Sequence, residues 1–266
     1  LYDILVQHLA GKKGLELGGP SAIFGRTHLI PVYNVCHTVD LCNYSEQTIW
    51  SEVADKQTNK LGLHLGRRFV AEACDLAAVP SGTYDFVLAS HVLEHIANPL
   101  RALTEWKRVL KADGTVLVVV PHKRGTFDHK RAFTSFNHIL ADFEAQVSED
   151  DLSHLDEILS LHDLCLDPPA GSHTNFKERC LQNSTVRGMH HHVFSPEVLV
   201  SMFDHLQMRV LNITVERPFH IIGFAQKADR AEYEQVKAHN ETFSAADAAW
   251  KRHDPFRNFR EVQGRR

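Results

Sequence analysis

Five short apolar runs alternate with amphipathic stretches over the first two-thirds of the chain, and that alternation restricts the fold more than any other feature. Residues 13–17 (KGLEL), 35–40 (VCHTVD), 68–74 (RFVAEAC), 84–89 (YDFVLA) and 115–120 (TVLVVV) read as strands. Between the last two, Asn98-Pro99 supplies an N-cap and a first helical residue. Leu100, Leu103, Trp106, Val109 and Leu110 follow at helical spacing, and Asp113-Gly114 turns the chain into the fifth strand. A later helix starts at Ser195-Pro196-Glu197 and shows Leu199, Met202, Phe203 and Leu206 on one face. The runs 208–215 and 219–225 then read as a hairpin at a sheet edge. The expectation is an α/β domain with a doubly wound, seven-stranded, mostly parallel sheet.

Residues 122–194 break the rhythm. A polar, basic loop (122–133) precedes a helix whose Phe136, Ile139, Leu140, Phe143 and Val147 form one stripe, and a second helix is expected around 152–165. The division is therefore a core of 1–121 and 195–226, a helical insert of 122–194 after strand five, and a charged tail of 227–266.

Glu16-Leu17-Gly18-Gly19-Pro20 sits where the first strand meets its loop, the place in such a sheet where glycines let backbone approach a ligand. Asp40 is expected to close the second strand, where a carboxylate can accept both hydroxyls of a ribose. Asp75 follows the third, where it can accept from an adenine amino group. Together they outline an adenosine-shaped crevice at the switch point of the sheet. A nicotinamide dehydrogenase would require G-x-G-x-x-G opening a helix, which is absent.

The run Ser90-His91-Val92-Leu93-Glu94-His95, after YDFVLA and before Asn98-Pro99-Leu100, resembles the signature after strand four of class I S-adenosylmethionine-dependent methyltransferases. It is most similar to the branch with ubiquinone-biosynthesis and sugar methyltransferases. Arg108 to Gly114 (RVLKADG) resembles the family too, and the likeness covers roughly 13–121 and 195–225. It implies the Rossmann-like methyltransferase fold, S-adenosylmethionine as cofactor, and methyl transfer to an acceptor. It also implies that Glu16, Gly18 and Gly19 cradle the methionine part and that Asp40 with Leu41 holds the ribose. Asp75 with Leu76 would contact adenine, and Ser90-His91 would wall the sulfonium. The chain departs from the family's E-x-G-x-G loop at Pro20, and residues 21–34 are poorly helical. Its opening is similar to the EIGGPS of methyltransferases from sugar and surface-polysaccharide contexts, which points to a sugar or glycan acceptor. N- or C-methylation of another small molecule, a catalytically silent cofactor-binding subunit, and a metal hydrolase built on the histidines stay open.

Nineteen histidines are many for 266 residues, and an alcohol acceptor needs a base near neutrality. His91 and His95 are four apart, on the expected first turn of the helix after strand four, where the helix N-terminus disfavours an imidazolium. His122, just past strand five, and His129, beside Asp128, are further candidate bases. Lys123, Arg124, Lys130 and Arg131 surround that Asp-His pair, so Arg124 and Arg131 are candidate clamps for a phosphorylated or nucleotide-linked acceptor. Alternation in an extended 190–192 segment would put His190 and His192 on one side, with His162 beside them on the acceptor wall. The histidine spacing matches no zinc pattern and no cysteine joins it, so no metal is expected.

The net charge of −4 provides no general attraction to nucleic acid. No apolar run approaches the roughly 20 residues of a membrane span. Five scattered cysteines without a CxxC pair predict reduced thiols in a cytoplasmic protein, and a homodimer is compatible with the insert's apolar stripes. Nothing at the start resembles a signal peptide. The chain opens at Leu1 rather than a methionine, which is what a missing upstream piece would leave.

Overall fold

The structure, a computed structural model, describes residues 1–48, 61–62 and 64–257. Among these, seven strands form one sheet in the order β3-β2-β1-β4-β5-β7-β6. They are β1 Lys13–Leu17, β2 Thr38–Asn43, β3 Leu65–Val70, β4 Tyr84–Ser90, β5 Leu110–Pro121, β6 Met208–Glu216 and β7 His220–Lys227. The first five pair in parallel, whereas β7 runs antiparallel to both β5 and β6. This is the doubly wound architecture that the alternation predicts.

Strand alternation sorts the core into two layers. Val87 and Ala89 of β4 and Val116, Val118 and Val120 of β5 face one side, with helices α2 (Pro99–Val109) and α6 (Pro196–His205) packed there. Phe86, Leu88, Leu117 and Val119 face the other, under α1 (Tyr2–Leu9) and the 21–36 segment. That segment is not a regular helix. It makes two 3-10 turns, Ala22–Phe24 and Val32–Asn34, whose Phe24, Val32 and Tyr33 are buried. Both expected caps are present: the Asn98 side chain accepts from the Arg101 N–H, and the Ser195 side chain from that of Val198.

The second turn also moves a strand boundary. It consumes Val32–Asn34, so β2 begins at Thr38, opposite Lys13, and runs to Asn43 rather than ending at Asp40. Likewise β3 lies at Leu65–Val70, several residues before the expected 68–74 segment ends.

In the insert, α3 (Phe136–Glu144) lays Ile139, with Phe136, Leu140 and Phe143, against the main core. α4 (Leu155–Leu161) and α5 (His173–Leu181) share a small core of Ile158, Ala170, Phe176, Cys180 and Met189. Beyond β7, α7 (Tyr233–Ser244) is tied to the sheet by Asn240, which accepts from Val210 N–H and donates to the Met208 carbonyl. No helix among the described residues is long and apolar enough to cross a membrane.

Candidate functional site

A cavity of 260 Å³ opens beyond the carboxyl ends of β1, β2 and β4, the place where open α/β sheets bind ligands. Leu17, Cys42, Ala71, Ala73, Val92 and Ile96 make its apolar lining, and Asn43, Glu72, Ser90, Glu149 and Arg187 stand among its polar groups. Gly18 lies in this wall at φ +72, and a Cβ there would sit 2.5 Å from Val92 Cγ2. Only glycine satisfies both demands.

The next loop is braced from behind. The Glu16 carboxylate, fully buried, accepts from Ser21 N–H at 2.8 Å and from the Tyr33 hydroxyl at 2.6 Å. A Cβ on Gly19 would lie 2.3 Å from the Glu16 carboxyl carbon. Burial pushes this carboxyl up to about 7 despite those hydrogen bonds. Glu16 and Gly19 therefore position the loop, and neither lines the cavity.

Asp40 is a correction. It sits three residues before the end of β2 with its carboxylate committed to Lys13 Nζ (2.9 Å), Arg67 N–H (2.9 Å) and the Tyr84 hydroxyl (2.9 Å). Leu41 is core on the opposite layer. The strand-end position belongs to Asn43, whose Nδ2 donates to the Gly19 carbonyl at 3.2 Å. Asp75 also misses the cavity: its carboxylate accepts from Ala77 N–H in a shallow surface groove with Arg101 and Arg108. Leu76 is wholly buried core. Glu72 occupies the cavity instead, paired with Arg187 at 2.8 Å. Both errors have one cause, a strand register that starts later or earlier than local pattern indicates.

A second cavity of 660 Å³ adjoins the first, and His91 and His95 belong to both walls. The insert supplies much of the second wall through Phe127, Leu166, Asp167, Arg179 and His190. His91 has φ +54 and is bound on both ring nitrogens, to Glu94 Oε1 (3.2 Å) and His220 Nδ1 (3.0 Å). His95 is not on an α-helix, because Leu93–His95 is a 3-10 turn and α2 begins only at Pro99. Its Nδ1 donates to the Met189 carbonyl at 3.0 Å, and burial, rather than a helix terminus, takes it down to about 4. His95 is therefore neutral at pH 7.

The strongest acid-base pair was not anticipated from sequence. His190 Nδ1 lies 2.6 Å from Asp128 Oδ2, and Asp128 Oδ1 accepts from Arg131 at 3.1 Å. Burial opposes the imidazolium, but the Asp128 carboxylate outweighs it and lifts His190 above its ordinary value. Burial likewise opposes the Asp128 charge, yet His190 and Arg131 bring that carboxyl down to about 2.

The remaining candidates are packed elsewhere. His122 stacks on Phe256 with centroids 4.5 Å apart, and its Nδ1 accepts from Arg124 N–H. His129 bonds Asp163 at 2.9 Å instead of Asp128. Arg124 donates to the Phe256 carbonyl, and Arg131, 1% exposed, is held by Asp128, Glu157 and the His190 and His191 carbonyls. His162 is sandwiched by Phe127 and Phe176 and bonds Asp167. His192 is buried away from His190, donating to the Ala97 carbonyl at 3.1 Å. None of these six lines either cavity. Gly18, Ser90, His91, His95 and His190 are the sequence candidates that the fold brings to the cavities.

Residues 24–118 match the family described as methyltransferase domain. No curated protein matches the chain. Among solved structures it is similar to a SAM-dependent methyltransferase from Aquifex aeolicus (14% identity, TM-score 0.47, 85% of this chain and 88% of that one). It is similar as well to a SAM-dependent methyltransferase from Methanosarcina mazei (14%, 0.47, 85% and 98%). A third is the Burkholderia thailandensis 1,6-didemethyltoxoflavin-N1-methyltransferase with bound 1,6-didemethyltoxoflavin and S-adenosylhomocysteine (14%, 0.47, 86% and 76%).

Proposed function

We propose that this chain is an S-adenosylmethionine-dependent methyltransferase acting on a hydroxyl of a small polar acceptor, a sugar or glycan unit. The observation that carries the reading is the pair of adjoining cavities joined at His91 and His95, with His190, paired to Asp128, packed beside His95 in the wall of the second.

The first cavity suits the donor. Its apolar lining can cover an adenine, Asn43 at the end of β2 and the Glu72 carboxylate offer polar partners to ribose and base, and Gly18 leaves backbone exposed for the methionine part. When bound, S-adenosylmethionine supplies an electrophilic methyl group. The protein's task is then to hold an acceptor oxygen in line and remove its proton. His190 does the second: its Nδ1 is tied to Asp128, so Nε2 takes the hydroxyl proton and Asp128 stabilises the imidazolium that forms. Phe127 and Phe219 offer apolar faces to sugar C–H groups, while Asp167 and Arg179 can bond hydroxyls. Arg179 Nε is buried without a hydrogen-bond partner among the described residues, which suits an acceptor oxygen.

Calorimetry with S-adenosylhomocysteine, followed by methyl transfer from labelled donor across a panel of sugars, sugar phosphates and nucleotide sugars, tests this. Binding and a labelled sugar are expected. Binding of NAD with no affinity for S-adenosylhomocysteine would overturn the donor assignment, and label appearing only on amines would overturn the acceptor class.

A further inference from the structure

His138, Asp142 and His154 lie outside both cavities. His138 and Asp142 are one turn apart on α3, which puts them on one face, and His154 immediately precedes α4. His138 Nε2 is 3.2 Å from His154 Nε2 and 3.3 Å from Asp142 Oδ2. One ligand atom from each of these, and from His192, falls within 4.8 Å of all the others.

Two imidazole nitrogens and a carboxylate oxygen aimed at one point repel unless a cation or protons stand between them. Asp142 Oδ2 is buried yet has no hydrogen-bond partner among the described residues. For zinc, with bonds of about 2.0–2.2 Å, neighbouring ligand atoms of a tetrahedron are roughly 3.3–3.6 Å apart. The two short separations match that edge. We propose that His138, Asp142 and His154 form a site for a divalent transition cation of the zinc type, clipping α3 to the start of α4. Imidazole with carboxylate is a donor set that suits zinc, and half-exposed His138 leaves the fourth position to water. His192 borders the site, its Nε2 3.6 Å from Asp142 Oδ2, but it donates to the Ala97 carbonyl and serves as a wall. The clip's role is structural: it holds the two halves of the insert together.

The test titrates Zn²⁺ into the full chain after chelator treatment, reading stoichiometry by equilibrium dialysis and the unfolding temperature. One tight equivalent is expected, with a rise in unfolding temperature. The double variant His138→Ala/His154→Ala should lose at least about a hundredfold in affinity, since even outer-shell changes cost 10–100-fold. S-adenosylhomocysteine binding should be unchanged. Asp142→Asn, verified as folded by circular dichroism, provides the same readout if the double variant does not fold. Glu94, His95 and His190 also bring ligand atoms within 4.8 Å of one another. Zinc binding that survives in the variants of the proposed site, or that is lost in His190→Ala instead, overturns the proposal, as does the absence of a tight equivalent.

Discussion

Replacing Asp128 by Asn removes a charge from His190 while keeping the shape of the side chain. The bond at stake, 2.6 Å between Asp128 Oδ2 and His190 Nδ1, joins a buried carboxylate to an imidazole only 10% exposed. A charge-assisted hydrogen bond contributes about 1.5–3 kcal/mol. At about 1.4 kcal/mol per pH unit, its loss should lower the His190 pKa by roughly 1–2 units. Burial, aided by Arg131, is then opposed only by the Glu94 charge, so His190 falls from its raised value. The acid limb of the pH–rate profile, which reports the base losing its proton acceptor capacity, should move down by the same roughly 1–2 units. The plateau rate should drop about 10–150-fold, the same free energy lost from the imidazolium in the transition state. Stability follows with its own signs. The raised His190 contributes fully below its unfolded value near 6.5 and loses that contribution as pH rises through the folded value; the depressed Asp128 contributes above about 3.8 and loses it as pH falls towards about 2. The pair is therefore most stabilising between these limits, and the Asn variant should lose the fall in stability that flanks them on either side. NMR titration of the His190 ring, the pH–rate profile and S-adenosylhomocysteine calorimetry measure the three effects. An acid limb that stays in place in an active, folded variant would refute His190 as the base.

Gly18→Ala should destabilise the protein by about 1–3 kcal/mol, since the residue combines positive φ with a Cβ 2.5 Å from Val92 Cγ2; denaturant melts check this, and no recovery in Gly18→Ala/Val92→Ala would mean the clash is not the cause. Asn43→Ala should weaken S-adenosylhomocysteine binding roughly 2–12-fold, one neutral hydrogen bond of about 0.5–1.5 kcal/mol, whereas Asp40→Asn should leave that affinity intact. Asp40→Asn should instead lower stability at neutral pH and remove acid sensitivity: Lys13, Arg67 and Tyr84 outweigh burial and hold Asp40 below its ordinary value, so its contribution is present above that range and lost as pH falls through the folded value. Arg131→Ala should cost about 1.5–3 kcal/mol, because the buried Asp128 carboxylate loses one of its two charged partners and keeps only His190; a raised acceptor KM with stability intact would restore the clamp reading of the basic loop.

Periodicity is local, and what it can encode was legible. The continuous apolar runs of β4 and β5, the cap Asn98-Pro99, the helical stripe of Leu100 to Val109 and the hairpin after Ser195 could be read without tertiary information, and with them the class of sheet. Gly18 at a strand end and the His91–His95 run were legible for the same reason, being attached to well-marked strands. Register and long-range pairing are not local. The 3-10 turn at Val32–Asn34 delayed β2, which gave Asp40 a bracing role and its expected place to Asn43. The early β3 did the same for Asp75 and Glu72. Whether Asp128 orients His129, its neighbour in sequence, or His190, sixty-two positions away, depends on how the insert folds back over the core. Composition placed the basic loop near an anion; burial decided that its anion is the protein's own Asp128. Sequence determined the frame and the donor-side glycine because neighbours along the chain suffice for them, and only tertiary packing decided which charges meet.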